Sequence, residues 1–160
     1  MFKRLLTALF IMAAMPSTVK ATDVTVGMGV YAKIAITVTA NMVIPTVYTN
    51  TTGTLTSEDT SSIPGGLDGV NAGISLTGEP SKQYSLSFSD TTIITNATDN
   101  VTVTLSMGTG GGNKTGRTFS GAGTDSTTIK GSVTLTGTRS RGTYNNNTSP
   151  LVVTATYDDV

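Results

Sequence analysis

The side chains able to do chemistry are few. Glu58-Asp59 and Asp158-Asp159 are adjacent acidic pairs. Paired carboxylates serve glycoside hydrolysis when one donates a proton and the other attacks or activates water, and carboxylate clusters hold calcium. Neither pair lies in the D-x-D-x-D-G frame of a calcium loop, so both read as solvated loop or terminal residues. The run Gly108-Thr109-Gly110-Gly111-Gly112-Asn113-Lys114-Thr115 comes close to a phosphate-binding loop. It departs at Asn113, where a glycine should precede the lysine, and Gly116-Arg117-Thr118-Phe119 does not open the helix whose N-terminus would face phosphates. A hairpin loop is the better reading. Lys33, Lys82 and Lys130 lie in or beside strand-like segments, so a lysine–asparagine crosslink is conceivable there, although such lysines commonly guard exposed sheet edges. Asn-x-Ser/Thr triplets stand at Asn50, Asn96, Asn100, Asn113, Asn146 and Asn147, as a chain rich in Thr and Asn produces by chance.

The missing residue types narrow the function further. There is no His, no Cys and no Trp. Imidazole bases, Ser-His triads and histidine metal ligands are therefore excluded, as are thiol chemistry, cysteine zinc sites and disulfides. No catalytic, cofactor-binding or metal-binding residues are assigned, and the chain reads as non-enzymatic. From Thr22 onward, seven Lys/Arg face ten Asp/Glu, a net charge of −3. That balance argues against nucleic-acid binding, which rests on neutralised phosphates.

Met1 to Ala21 has the form of a secretory signal: Lys3-Arg4, an apolar run from Leu5 to Met15, and small residues at Val19 and Ala21. A membrane span needs about 20 apolar residues, and Pro16 and Lys20 cut this one short. The expected organisation is a signal peptide over 1–21 and one domain over 22–160, exported to the periplasm, cell surface or medium, with no membrane span in the mature chain.

The dominant period along that domain is two, the mark of half-buried strands. Val24, Val26, Met28, Val30, Ala32, Ile34, Ile36 and Val38 alternate with small or polar residues. The same pattern recurs at Ala72-Ile74-Leu76, Tyr84-Leu86-Phe88, Val101-Val103-Leu105, Val133-Leu135 and Leu151-Val153-Ala155-Tyr157. Thr or Ser commonly fills the opposite face, where β-branched hydroxyls suit a wet pleated surface. Turn sequences separate the runs, among them Ile63-Pro64-Gly65-Gly66, Asp68-Gly69, Gly78-Glu79-Pro80 and Gly121-Ala122-Gly123. No helical period follows residue 21. The pattern predicts an all-β fold, an antiparallel β-sandwich of immunoglobulin-like or pilin-like form, with mobile loops around 49–62 and 108–126.

The first stripe is unusually long. Val24 to Val38 would span about 50 Å if fully extended. It reads either as two consecutive strands within one molecule or as a strand preceded by an extension. In the second case residues 22–30, through Val24, Val26, Met28 and Val30, would complete the sheet of another subunit by strand addition.

Several short motifs carry a family likeness: Gly78-Glu79-Pro80 with Tyr84-Ser85-Leu86, Gly131-Ser132-Val133-Thr134-Leu135, Gly142-Thr143-Tyr144, and Val152-Val153-Thr154-Ala155-Thr156-Tyr157. On these, over roughly residues 30–159, the chain resembles the bacterial domain-of-unknown-function 4402 family. Met42-Val43-Ile44-Pro45 replaces a Phe-Gly pair that members often carry. Lys33-Ile34-Ala35-Ile36-Thr37-Val38-Thr39-Ala40 and the closing strand are also similar to pilins of the colonisation-factor type. The resemblance implies an exported sandwich without catalytic residues. The expected function is a structural or surface-interaction role, as a pilin-like subunit of a bacterial surface fibre that contacts other copies of itself. The alternative is a monomeric carbohydrate- or matrix-binding module, which would need exposed aromatic platforms; after residue 21 only Tyr31, Tyr48, Tyr84, Tyr144 and Tyr157 offer one, and Tyr84 and Tyr157 follow the core-facing alternation.

Overall fold

A computed structural model describes residues 30–96, 99–108, 114–147 and 150–158. The expected signal at 1–21 and the contact residues Val24, Val26 and Met28 lie outside the described residues. From Tyr31 onward the chain forms one compact unit. Nine strands run in chain order: β1 Ala35–Ala40, β2 Gly53–Thr56, β3 Ala72–Thr77, β4 Gln83–Ser87, β5 Thr91–Asn96, β6 Asp99–Met107, β7 Arg117–Thr118, β8 Thr124–Leu135 and β9 Thr154–Tyr157. The described residues contain no helix, and every pairing is antiparallel. The expected all-β antiparallel sandwich is what the chain forms.

One sheet has the order β1-β3-β8-β6-β5, with β2 also paired to β8; the other has the order β7-β4-β9. β8 organises the larger sheet. Thr124 to Ile129 pair with β3, and Ser132 to Leu135 pair with β2. β6 pairs with residues 129–132 of β8. Strands β3 and β2 thus lie end to end along β8.

The core fills the space between the sheets because alternate positions on each strand point the same way. Leu76 and Ile74 of β3 meet Tyr84 and Leu86 of β4. Val103, Leu105 and Ile129 meet Phe88, with Leu151 and Val153 packed alongside. Val101, Val133 and Leu135 close the far end against Ile44, Val47, Leu55 and Tyr144. Burial of these side chains, each contributing about 1.5–3 kcal/mol, is the main force holding the layers together.

Parts of two segments expected as mobile loops are built into the fold. Within 49–62, residues 53–56 are strand β2, and Ser57 is 1% exposed. Within 108–126, Phe119 is buried and stacks on Tyr84 with ring centroids 4.3 Å apart. The tight return after it depends on Gly123, whose φ is +72°. A Cβ on Gly123 would lie 2.5 Å from the carbonyl oxygen of Gly78, which itself donates its N–H to Gly123 at 2.9 Å.

The long first stripe is a ladder only from Ala35 among the described residues. Ile34 and Ile36 pack on the core. The pairing with β3 then shifts between Val38 and Ala40, and Val38 is 63% exposed. A bulge of this kind turns the edge strand away from the sheet plane, which is why the stripe does not keep one buried face.

Candidate functional site

The exposed framework is hydroxyl-rich. Thr102, Thr104 and Ser106 on β6 and Thr134 on β8 face solvent. Thr54 and Thr134 meet across the β2–β8 pair at 3.1 Å. Apolar residues left outside the core include Val38, Leu67 and Ile93. Val30 is 78% exposed, and Val152, just before β9, is 67% exposed. β9 stands at the end of the smaller sheet with β4 as its ladder partner. The Tyr157 hydroxyl donates to the carbonyl of Ala32 at 2.6 Å, and the rings of Tyr31 and Tyr157 lie 5.5 Å apart. Residues 31–32 are therefore anchored beside the end of β9. Of the four expected contact residues, Val30 alone can be placed.

Two ion pairs, Arg117–Asp125 and Arg139–Asp99, anchor polar clusters at opposite ends of the sandwich. At one end Asp125 of β8 accepts from the Tyr84 hydroxyl at 2.6 Å and from Arg117 Nη2 at 2.7 Å. This bridges the two sheets, since Tyr84 and Arg117 belong to β4 and β7. Burial, and the hydrogen bond to Asp125, push the Tyr84 hydroxyl up to about 12. Burial works against the Asp125 charge, yet the Tyr84 and Arg117 hydrogen bonds hold its carboxyl below the usual range. At the other end the Tyr144 hydroxyl donates to Asp99 at 2.7 Å, and Arg139 reaches the other carboxylate oxygen at 3.2 Å. The Tyr144 hydrogen bond is the main cause of a lowered Asp99 carboxyl. These groups pin the 136–147 loop to β6. The first cluster clasps β4 and β7 of the smaller sheet to β8 of the larger one.

The sequence motifs fall into place separately. Glu58 contacts Lys130, and Asp59 accepts from the Thr56 N–H at 2.6 Å, so the adjacent carboxylates serve different partners. Asp158 accepts from the Ser85 hydroxyl at 2.5 Å; Asp159 lies outside the described residues. No group of three acidic residues able to hold a cation occurs among the described residues. Lys114 donates to Asp90 at 2.5 Å and to the Phe88 carbonyl at 3.1 Å, with its ammonium 3.9 Å from the Phe88 ring centroid. Strand β7 follows it instead of a helix, and Thr109 to Asn113 lie outside the described residues. Asn96 donates to the Arg141 carbonyl at 2.8 Å, and Asn50, Asn100 and Asn147 are exposed. Lys33 is exposed, while Lys82 donates to the Tyr31 hydroxyl at 3.1 Å. No helix among the described residues is long and apolar enough to cross a membrane.

What sequence reasoning missed is the clasp. Tyr84, Arg117 and Asp125 sit on three strands, and only the register of β4 with β7 and of β8 with β3 brings them together. Compared with known protein families, curated proteins and solved structures, the chain matches none.

Proposed function

We propose that this protein is an exported, non-enzymatic surface subunit of pilin-like type that assembles with copies of itself. The observation that carries the reading is that, among the described residues, β9 has a ladder partner on one side only, with exposed Val152 just before it. An extended segment with every second residue apolar is the natural partner for such a flank, because main-chain hydrogen bonds supply affinity and alternate side chains supply specificity. Val24, Val26, Met28 and Val30 have that spacing. The Thr- and Ser-covered outer sheet, with few charges to desolvate, suits packing between subunits. The likeness of the closing motifs to exported helix-poor sandwiches points the same way.

Deletion of Thr22 to Gly29 tests it. The shortened chain should retain its β-sheet circular dichroism and elute as a monomer, whereas the chain retaining those residues should form multimers in size-exclusion chromatography with light scattering. A chain retaining them that stays monomeric at high concentration would refute assembly. One observation favours a second reading, a carbohydrate- or matrix-binding module: Tyr48 is 53% exposed and available as a platform. Absence of glycan or matrix binding by the full chain removes that reading, and unaltered binding in Tyr48→Ala removes the part given to Tyr48.

A further inference from the structure

Where β3 and β2 meet end to end along β8, four side chains converge that neither strand needs for pairing. Ala72 is opposite Ile129 and Thr56 opposite Ser132, which leaves Lys130 and Gly131 facing the gap. Glu58, just beyond β2, fills it. One carboxylate oxygen of Glu58 contacts Lys130 Nζ. The other accepts from Asn71 Nδ2 at 3.1 Å. The opposite end of that amide is also held: the Ser57 hydroxyl donates to Asn71 Oδ1 at 2.5 Å. Ser57 is itself fixed, since its Oγ accepts from the Gly131 N–H at 2.9 Å and its own N–H donates to the Gly131 carbonyl at 2.9 Å. An amine, a carboxylate, a primary amide and a hydroxyl on the amide oxygen are thus joined in one chain of contacts.

We propose that Lys130 and Asn71 are joined by an intramolecular amide bond that the folded chain forms on itself. Glu58 is the proton carrier and Ser57 the donor to the oxyanion. The Glu58 carboxylate takes a proton from the Lys130 ammonium, which frees a lone pair for attack. Nζ bonds to Cγ of Asn71, and the carbonyl π pair moves onto Oδ1, where the Ser57 hydroxyl stabilises the negative charge. A second proton from Nζ and the proton held by Glu58 leave with Nδ2. The Cγ–Nδ2 bond breaks, the carbonyl re-forms, and ammonium departs with Glu58 again ionised. An ammonium side chain and a primary amide become a secondary amide and an ammonium ion, with no oxidant or co-reactant. Glu58 has one oxygen on the nucleophile and the other on the leaving nitrogen, the placement this transfer requires.

Mass spectrometry of the purified full chain tests this. The amide makes the chain lighter by one ammonia and blocks tryptic cleavage after Lys130. The digest should then hold one branched species, residues 34–82 joined to residues 118–139. Glu58→Gln and Lys130→Arg, checked for unchanged far-UV circular dichroism, should give the sequence mass and separate peptides. Free peptides 34–82 and 118–130 from the folded parent chain would overturn the proposal. So would the ammonia loss without the branched species, which marks a succinimide at Asn71. A branched species that persists in Glu58→Gln would overturn the proton-carrier role.

Discussion

Replacing Phe119 by alanine probes whether the 108–126 segment is part of the core. Phe119 is 1% exposed, stacks on Tyr84 at 4.3 Å and meets Tyr157 edge-on at 6.2 Å. Its ring also lies where a Cβ on Gly78 would be, with Cε2 2.6 Å from that point, so backbone and ring are in close contact and little can collapse into the space left. Truncation of a buried phenylalanine costs about 3–5 kcal/mol, and the limited collapse places this site toward the upper end. A domain of this kind has about 5–15 kcal/mol in total. With a urea slope of about 1–3 kcal/mol per molar, the midpoint should fall by about 2 M. Far-UV circular dichroism is the appropriate readout because the chain has no tryptophan. Phe119→Leu, which keeps most of the volume, should cost about 1–1.5 kcal/mol. A cost below about 1 kcal/mol for Phe119→Ala would refute the reasoning, because the segment would then be a loop lying over a core already closed without it.

Two other perturbations follow from the same end of the sandwich. Tyr84 in the folded chain titrates at about 12 against an ordinary 10.0, so it holds its proton more tightly folded than unfolded. Its share of stability is complete below pH 10 and is lost as pH rises toward 12; urea midpoints taken across that interval should fall, and Tyr84→Phe should make the decline shallower while Tyr144, also raised, retains part of it. Gly123→Ala forces a side chain into a left-handed φ and against the Gly78 carbonyl, a cost of about 1–3 kcal/mol, whereas Gly121→Ala, with open space around it, should cost under about 0.5 kcal/mol; equal thermal midpoints for the two variants would count against the close approach.

The strands that sequence made legible are those whose core face is purely apolar. Ile74 and Leu76, Tyr84 and Leu86, and Val101, Val103 and Leu105 are all buried as their alternation predicts. The strands that escaped notice have a mixed face. Thr127 is a buried hydroxyl residue at a core position of β8, 6% exposed, so the first half of that strand reads as polar. Ile93 and Ile94 are adjacent in β5, which hides the alternation; Ile93 is 47% exposed while Ile94 packs inward. β2 has a single apolar residue, Leu55. Phe119 stands alone among Gly, Ser and Thr, and no period marks it as core. The polar clusters are legible in no window at all. Asn71, Glu58 and Lys130 meet only because two strands share one edge of a third, and composition carries no record of that register. The edge position of β9 among the described residues is likewise a matter of strand order, which the terminal stripe at Leu151 to Tyr157 does not encode.

The place of β8 in the chain has a temporal consequence. Its partners β2 and β3 lie some 50 to 80 residues upstream, and the β1–β3 and β5–β6 ladders remain separate pieces until β8 arrives to join them. A nascent chain emerging from its N-terminus can form those two ladders but cannot assemble the larger sheet before residue 135 has emerged. Closure is therefore a late event dominated by distant pairings, which places folding on the millisecond-to-second scale of sandwich topologies. Until then the edges of β3 and β6 that β8 will pair have no ladder partner from their own chain.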